Sequence, residues 1–173
     1  MNQELTYQTD RLILQQTTVD DAALILELLN TPKWTEFIGD RNIMNIEDAE
    51  AYINNTILPV IKKNGFGNFT ILRKSDKVKI GCCGLYDREG VEGIDIGFAF
   101  LPQYEKLGYA FESAFKIKEI AVNEFKLERL SAITNRKNVG SQKLLEKLGL
   151  KFLEIITLPE SDEKLMLYKA KLC

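Results

Sequence analysis

The sequence predicts a mixed α/β layer fold with seven strands. This prediction rests first on the order of the periodic segments: strand, helix, helix, three strands, helix, strand, helix and two strands. It rests second on composition, because 45% hydrophobic and 28% charged residues are typical of a globular protein with a buried core. A length of 173 residues suits a single domain, here residues 1–173.

One strand and two helices are predicted in the first third of the chain. Residues 12–14 are apolar and are typical of a strand. A capping pattern at residues 18–21 precedes an apolar stripe of helical spacing over residues 22–29. A second helix is expected after Asn45, and Pro59 should bend or end it, because proline lacks an amide proton.

Residues 33–44, between these two helices, show no clear periodicity and are expected to be irregular. The stretch contains Trp34 and Phe37, two large aromatic side chains. Such side chains belong either in a functional surface or folded over the core, and the sequence leaves both interpretations open.

The rest of the chain alternates strands with two further helices. Period-two and period-3.6 patterns succeed one another, with short polar turns between them. The predicted elements are a hairpin of strands at 68–73 and 78–86, a strand at 93–101, a helix at about 108–125, a strand at 129–134, a helix at 139–148 closed by Gly149, and strands at 151–157 and 164–171.

Bulk properties exclude several classes of function. The net charge of −2 and the pI of about 5.4 argue against a dedicated nucleic-acid-binding protein, which needs an excess of Lys and Arg. The sequence holds no run of 18 or more apolar residues and its first 12 residues lack an apolar signal core, so no membrane association is expected. The cytoplasm is therefore the expected compartment.

Histidine is absent, which excludes Ser-His and Cys-His nucleophilic machinery and removes the commonest metal ligand. Cys, Asp and Glu show no metal-binding spacing either, so no metal is expected. Cys82, Cys83 and Cys173 are odd in number, and two of them are neighbours, which argues against a disulfide framework. The pair at 82 and 83 is interpreted as core in preference to a thiol nucleophile.

The segment at 93–125 carries the strongest chemical signal. An apolar strand leads through a short polar turn into a helix whose apolar residues recur at 110, 114, 117, 121 and 125. The first amides of that helix have no partner inside it and lie at the positive end of its dipole, which suits a diphosphate. Gly108 lets the backbone approach an anion closely, and Lys106 adds a positive charge. An ordinary strand-to-helix connection would have the same pattern.

Three stretches together resemble one known family. They are TDRLIL at 9–14 followed by TTVDDA, IGFAFLPQYEKLGYAFESA at 96–114, and NVGSQKLLEKLGLKF at 138–152. In this order and spacing they resemble the GNAT superfamily of acetyltransferases, in particular its ribosomal-protein N-terminal acetyltransferase branch, the Rim type. The resemblance extends along the whole chain.

The resemblance implies a three-layer α/β fold (mixed α+β), in which helices flank a central, mixed, mostly antiparallel sheet of about seven strands with a splayed central pair. It also implies acetyl-CoA as the acyl donor. The pantetheine arm would pair with main-chain groups of Phe98, Ala99 and Phe100, although Phe98 and Phe100 are equally expected as core residues. Asn135 and Asn138 would contact the donor as well. The pyrophosphate would be held by Lys106, Leu107, Gly108, Tyr109, Ala110 and Phe111.

The sequence departs from the family pattern at the start of the pyrophosphate loop. Where the family has Gln or Arg, this chain has Glu105, followed by Lys106 and Leu107 instead of the Gly-Lys of the Rim branch. A carboxylate that pointed inward would repel a diphosphate, so the Glu105 side chain is expected to point to solvent.

The resemblance implies direct attack of an amine on the thioester, with a main-chain N–H near Phe98 or Ala99 stabilising the oxyanion. Without histidine, the base must be a carboxylate, acting directly or through water. Asp95 is the preferred candidate, because it lies within an otherwise apolar strand, where an ionised group is costly unless it is used or paired. Glu92, at the entrance of that strand, is the weaker candidate.

Leu145 occupies the position where many GNAT members carry a catalytic Tyr. By the Rim-type resemblance, Ser141 would approach the sulfur and Asn138 would bond the pantetheine or an ordered water. Capping of the following helix explains Asn138 equally well, and the two roles are compatible. Capping explains Ser141 less well, because this residue already lies in the first turn.

The acceptor is expected to be a primary amine, either a protein N-terminus or a small molecule, in a pocket formed by Trp34 and Phe37. Two further interpretations stay open at this point. One is a non-catalytic acyl-CoA-binding or regulatory module, favoured by Glu105 and the missing Tyr. The other is a purely structural domain. The sequence also leaves a homodimer open.

Overall fold

The computed structural model describes residues 5–172, which form one continuous eight-stranded sheet with helices on both faces. Short 3₁₀ turns at Val19–Asp21 and Pro102–Tyr104 precede α1 and α5, respectively. The elements are β1 (Thr6–Gln8), β2 (Leu12–Gln16), α1 (Ala22–Leu29), α2 (Pro32–Phe37), α3 (Ile46–Tyr52), α4 (Leu58–Asn64), β3 (Asn68–Arg73), β4 (Lys79–Asp87), β5 (Ile94–Phe100), α5 (Tyr109–Asn123), β6 (Arg129–Asn135), α6 (Val139–Lys147), β7 (Lys151–Ile156) and β8 (Leu165–Lys171).

The strand order in the sheet is β1-β2-β3-β4-β5-β6-β8-β7. All neighbouring strands are antiparallel except β5 and β6, which run parallel. These two strands are paired only at Asp95 and Ser131, so the five following residues of β5 have no partner in β6. The splayed central pair expected from the family resemblance is therefore confirmed.

The sheet has eight strands, and the sequence analysis missed β1, which pairs with β2 as a short antiparallel edge. Its three residues, TYQ, give neither an apolar run nor a complete alternation. The other seven strands, β2 to β8, were all predicted and are all present.

Each face of the sheet is covered by its own apolar cluster, which gives three layers. On one face, α5 packs through Ala114, Ile117 and Ala121, each fully buried. On the other face, α1 and α3 pack through a cluster that includes Leu28 and Ala49, at 1% and 0% exposure. The mixed α/β architecture predicted from the sequence is confirmed.

The expectation that residues 33–44 would be irregular is wrong for the first part of the stretch. Pro32 starts α2 at a position where its missing amide proton is not needed, and the Thr31 hydroxyl accepts a hydrogen bond from the Trp34 amide at 3.3 Å. None of the α2 residues is fully buried. A six-residue helix without a buried face gives no periodic signal, which is why the pattern missed it.

The helical segment that begins at Ile46 continues past Pro59. A π-helical segment, Ile53–Ile57, separates α3 from α4 and brings Pro59 into the first turn of α4, where proline is tolerated. The helix ends at Gly65, whose φ of 76° is left-handed. Pro59 thus marks an internal change of helix type rather than an end.

None of the helices in residues 5–172 combines the length and the apolar character needed to cross a membrane.

Candidate active site

A cleft of about 400 Å³ opens beside the part of β5 that has no partner in β6. Residues from α2, β5, the start of α5 and one face of α6 form its walls. The lining residues are Thr31, Lys33, Trp34, Phe37, Ile38, Phe98, Ala99, Phe100, Tyr104, Glu105, Lys106, Gly108, Ala110, Phe111, Asn138, Gly140, Ser141, Lys143, Leu144 and Lys147.

The loop that enters α5, residues 105–108, has a conformation suited to binding an anion. Lys106 and Gly108 both have left-handed backbones, with φ of 59° and 86°. The helix begins at Tyr109, so the first amides of α5 lie next to the cleft without an acceptor inside the helix. Such a concave run of amides at the positive end of a 15-residue helix favours a phosphate group. We call residues 105–108 the α5 entry loop.

Arg11, from the turn before β2, holds the outer side of the α5 entry loop. Its Nη1 donates to the Leu107 carbonyl at 3.0 Å, and its Nε donates to Glu112 at 2.7 Å. The guanidinium also lies over the Tyr109 ring, 4.5 Å from the ring centre. A side chain at Gly108 would begin 3.1 Å from the Arg11 guanidinium, in addition to the backbone strain. The loop is therefore fixed from outside while its amides adjoin the cleft.

Glu112, in the first turn of α5, completes this support. It accepts hydrogen bonds from the Thr9 hydroxyl at 2.6 Å and from the Arg11 amide at 2.9 Å. Burial raises the pKa of Glu112, but these hydrogen bonds and the Arg11 charge outweigh it and hold the pKa below its usual value. The carboxylate that adjoins the helix start is thus neutralised by Arg11 and does not oppose an anion there.

The start of α6 supplies polar groups to the opposite wall of the cleft. Asn138 caps the helix, because its Oδ1 accepts a hydrogen bond from the Ser141 amide at 3.2 Å. This agrees with the capping role expected for Asn138 from the sequence. Both residues line the cleft, together with Lys143 and Lys147 from the next two turns. Leu145, at the position where many GNAT members have a catalytic Tyr, is 1% exposed and belongs to the core. It therefore contributes no acidic hydroxyl to this wall.

Asp95 lies at the vertex where β5 and β6 part, because it is the β5 residue in their single paired position. It is 1% exposed, and Arg88 Nε lies 3.3 Å from its Oδ1. Burial raises the pKa of Asp95, and the Arg88 charge offsets only part of this effect. Asp95 is not among the lining residues of the cleft. At about 3.3 Å per residue, it lies roughly 10 Å along the strand from Phe98.

Glu92, the weaker candidate for the base, is bound at the surface. Its carboxylate accepts from Lys169 Nζ at 2.6 Å, and its side chain is 76% exposed. The hydrogen bond from Lys169 lowers the pKa of Glu92. A well-paired surface carboxylate with a lowered pKa is a poor proton acceptor at neutral pH.

The expectation that Glu105 would point freely to solvent is wrong. Its side chain lines the cleft, is 23% exposed, and forms an ion pair with Lys33 of α2. Local sequence patterns do not reveal this partner, because Lys33 lies 72 residues earlier in the chain. The pair joins α2 to the α5 entry loop across the cleft.

Trp34 and Phe37 both line the cleft, as one of the two interpretations of the sequence required. Trp34 also packs against the cluster formed by α1 and α3, so it belongs to the core as well. Its Nε1 is buried, and no hydrogen-bond acceptor within residues 5–172 reaches it. The two aromatic side chains form an apolar wall opposite β5.

Three of the predicted donor-site residues do not line the cleft. The Leu107 side chain is 50% exposed, and Tyr109 is 9% exposed and packs into the core beneath Arg11. Asn135 Nδ2 donates to Glu163, and its Oδ1 accepts from the Lys137 amide at 2.8 Å. These side chains therefore stabilise the surrounding structure, and only the main chain of Leu107 and Tyr109 can serve an anion.

Among the residues that support or line the cleft and were missed by the sequence analysis are Arg11, Lys33, Tyr104, Lys143 and Lys147. The spacing of Lys143 and Lys147 by four residues could have placed both on one face of α6. Arg11 lies within the TDRLIL stretch that carried the family resemblance, but nothing local assigns it a role.

The two neighbouring cysteines, Cys82 and Cys83, are core residues, as interpreted from the sequence. They are 5% and 0% exposed, and burial raises the pKa of each thiol to about 12. Thiols held in the protonated form are weak nucleophiles. Cys173 lies outside the described residues. Within those residues, no three His, Cys, Asp or Glu side chains are grouped as metal ligands.

The split strand pair and the anion-binding helix entry together define an acyl-transferring α/β domain. The family model of the acetyltransferase (GNAT) domain matches residues 11–151. The chain therefore belongs to the GNAT acetyltransferase family. Acetyl transfer to an amine, predicted from the sequence, is the activity of this family.

Curated relatives agree with this assignment. The chain is 26% identical over 143 residues to "Uncharacterized N-acetyltransferase YnaD" from Bacillus subtilis (strain 168), covering 83% of this chain and 81% of the relative. It is 29% identical over 143 residues to "Uncharacterized N-acetyltransferase YoaA" from the same organism, covering 82% and 80%.

Solved structures share the fold. A ribosomal-protein-S5-alanine acetyltransferase from Vibrio fischeri superposes with a TM-score of 0.80 at 15% identity, covering 97% of both chains. A spermidine N-acetyltransferase from Vibrio cholerae, in complex with CoA and spermine, superposes with a TM-score of 0.77 at 14% identity, covering 95% of this chain and 97% of the other. The Rim-type resemblance found in the sequence is thus consistent with the structural neighbours.

Proposed function

We propose that the protein transfers an acetyl group from acetyl-CoA to a primary amine by direct attack, without a covalent enzyme intermediate. The observation that carries this proposal is the continuity of one cleft from the unpaired part of β5 to the α5 entry loop. A thioester is already activated, so the protein needs only to orient the reactants, remove a proton and stabilise the oxyanion.

The donor is proposed to lie along β5 and to end at α5. Main-chain groups of β5 residues 98–100 lack a partner in β6, which leaves them free to pair with the amide groups of a pantetheine arm. The amides of residues 106–111 would hold the diphosphate. Lys143 and Lys147 in the cleft wall add positive charge for the phosphate groups.

The chemistry is assigned to a main-chain amide, two neutral polar side chains and one carboxylate. A main-chain N–H at Phe98 or Ala99 would stabilise the oxyanion. The Ser141 hydroxyl would protonate the departing thiolate while it regains a proton from a water molecule. Asn138 would hold the arm or an ordered water. Asp95 remains the proposed base. Its distance along β5 requires a chain of water molecules between its carboxylate and the amine.

The acceptor would occupy the space between Trp34, Phe37 and β5. Aromatic faces stabilise a cationic amine, and the apolar wall suits a substrate with aliphatic or peptide-like neighbours to that amine. An aromatic and apolar wall of this kind suits either a protein N-terminus or a small amine such as a polyamine. The cytoplasm stays the proposed compartment.

The homodimer left open by the sequence stays a prediction. Strand β7 ends the sheet, and its Phe152, Leu153 and Ile155 are 48%, 54% and 42% exposed. Exposed apolar residues on an edge strand are typical of a contact surface. Light scattering coupled to size-exclusion chromatography distinguishes a dimer from a monomer.

The proposed function is tested by adding acetyl-CoA to the purified protein with a panel of amines: peptides of different N-terminal residues, polyamines, amino acids and aminoglycosides. We expect release of CoA thiol that depends on the amine, and acetylated product by mass spectrometry. CoA binding without turnover of any amine would favour the non-catalytic alternative. Absence of CoA binding by calorimetry would overturn the donor assignment.

A further inference from the structure

We infer that Lys33 is a positioning residue of the donor site, which neutralises Glu105 so that the α5 entry loop accepts a diphosphate. The same ion pair fastens α2, and with it the aromatic wall of the cleft, to that loop. The inference rests on the proposed donor and goes beyond it, because it assigns a role to two residues that no family pattern explains.

The location of Glu105 makes neutralisation necessary. It is the single carboxylate among the residues that line the cleft in the described part of the chain. It starts the loop whose following amides face the proposed diphosphate. Two like charges a few ångströms apart in a partly desolvated cleft repel each other by an amount that matters for affinity.

Lys33 supplies the compensating charge from a distant part of the chain. Its Nζ pairs with Glu105 Oε2, and the two side chains are 57% and 23% exposed. The family pattern has Gln or Arg at the position of Glu105, and neither of these repels a phosphate. In this chain, the Lys33–Glu105 pair restores a neutral group at the same place.

The pair also has a mechanical consequence for α2. This helix has six residues and none of them is fully buried, so few contacts hold it against the body of the protein. Lys33 precedes Trp34, which lines the cleft. Loss of the ion pair should therefore loosen the aromatic wall as well as expose the charge of Glu105.

A set of variants distinguishes the effect of the Glu105 charge from the effect of loosening α2. CoA binding is measured by isothermal titration calorimetry for the wild type, Lys33→Ala, Glu105→Gln and the double variant. We expect Lys33→Ala to weaken CoA binding about threefold to tenfold, because it leaves Glu105 uncompensated. We expect Glu105→Gln to bind CoA at least as tightly as the wild type, and the double variant to recover most of the loss.

Controls separate charge from folding. Lys33→Arg keeps the charge and should keep the affinity. Lys63→Ala removes a surface lysine of α4 that lies outside the cleft and whose Nζ is 3.4 Å from Asp87 of β4. This variant should leave CoA binding unchanged. The difference between Lys33→Ala and the wild type should shrink as NaCl is raised, since salt screens the repulsion. Thermal melts show whether each variant is folded.

Trp34 gives an independent readout, because it is the only tryptophan in the chain. Its emission should shift to longer wavelength in both Lys33→Ala and Glu105→Gln, which both release α2. Donor affinity should fall only in the first. Equal CoA affinity in the wild type and Lys33→Ala, or a double variant as weak as Lys33→Ala, would overturn the inference. Absence of CoA binding by the wild type would instead overturn the proposed donor.

Discussion

Arg11 donates from Nη1 to the carbonyl oxygen of Leu107 at 3.0 Å, and so ties the turn before β2 to the loop that enters α5. The same guanidinium pairs with Glu112 and covers the Tyr109 ring. A residue 96 positions away in the sequence therefore sets the direction of a loop that is proposed to bind the donor. Its removal should affect donor binding before it affects chemistry.

We expect Arg11→Ala to raise KM for acetyl-CoA about tenfold while kcat changes little, because the loop amides lose their fixed direction and Glu112 becomes unpaired at the anion site. Steady-state kinetics with varied acetyl-CoA measures this. Arg11→Lys should recover only part of the loss, because lysine cannot contact both Leu107 and Glu112 in the same way. Arg129→Ala, at an exposed position at the start of β6, serves as control. An equal fall in kcat and kcat/KM would contradict a positioning role.

Asp95→Asn should lower kcat by about a hundredfold if Asp95 is the base. The same variant should be more stable than the wild type at neutral pH. Burial raises the folded-state pKa of Asp95, so the folded protein holds this proton more tightly than the unfolded chain. Its stability therefore falls as pH rises from the unfolded pKa, about 4, through the raised folded pKa.

The stability gain of Asp95→Asn should accordingly be present at pH 7 and vanish as pH falls below about 4. Urea unfolding at a series of pH values measures it. A variant less stable than the wild type at pH 7 would show that the pair with Arg88 outweighs the effect of burial. Unchanged kcat would remove Asp95 from the mechanism.

Ser141→Ala should lower kcat by about tenfold to a hundredfold and leave CoA affinity within about twofold, since a proton donor to the thiolate acts mainly in the transition state. Kinetics and calorimetry on the same preparation measure the two quantities. The helix should be unaffected, because Ser141 provides its amide, not its hydroxyl, to the Asn138 cap. Full activity in Ser141→Ala would assign the proton to water or another group.

Asn138→Ala should lose about 1 kcal/mol of stability through the missing cap, and should also weaken donor binding. Asn138→Asp separates the two roles, because Asp caps a helix as well as Asn but cannot donate a hydrogen bond from its side chain. We expect normal thermal stability and impaired CoA binding in Asn138→Asp. If both properties are normal, Asn138 serves only as a cap.

The thiols of Cys82 and Cys83 should resist alkylation in the folded protein. With a pKa of about 12, about one thiol in ten thousand is ionised at pH 8, and both side chains are buried. Iodoacetamide labelling of Cys173→Ser, followed by mass spectrometry, should give no adduct until urea is added. Rapid labelling of the native protein would contradict the assignment of Cys82 and Cys83 to the core and would favour a reactive thiol.

The parts of the fold that were predictable have strong local patterns. Strands β3 to β8 alternate or form apolar runs, and α5 repeats its apolar residues at helical spacing, so the chain itself encodes them. Helix α2 and strand β1 were missed because they are short and present no fully buried face. Such short elements are stabilised by contacts with elements that are distant in the sequence, and a local hydrophobic pattern carries no information on these contacts.

The candidate site also has one part that was predictable from the sequence and one part that was not. The position of the proposed anion site was inferred from Gly108 and the start of α5, since both are properties of a continuous segment. The side-chain roles did not follow. The side chain of Tyr109 packs in the core, so only its main chain adjoins the proposed donor site, and the side chain of Asn135 belongs to a surface hydrogen-bond network.

By itself, the sequence determined a mixed α/β fold, a glycine-containing turn between the strand at 93–101 and the following helix, and the absence of histidine chemistry. Only the tertiary structure decided that Lys33 pairs with Glu105, that Arg11 holds the Leu107 carbonyl, and that Arg88 pairs with Asp95. The physical reason is that each of these relationships joins groups whose approach depends on how the whole sheet and its helices pack. Local spacing specifies an element and one face of it, whereas a charge finds its partner only when distant elements come together.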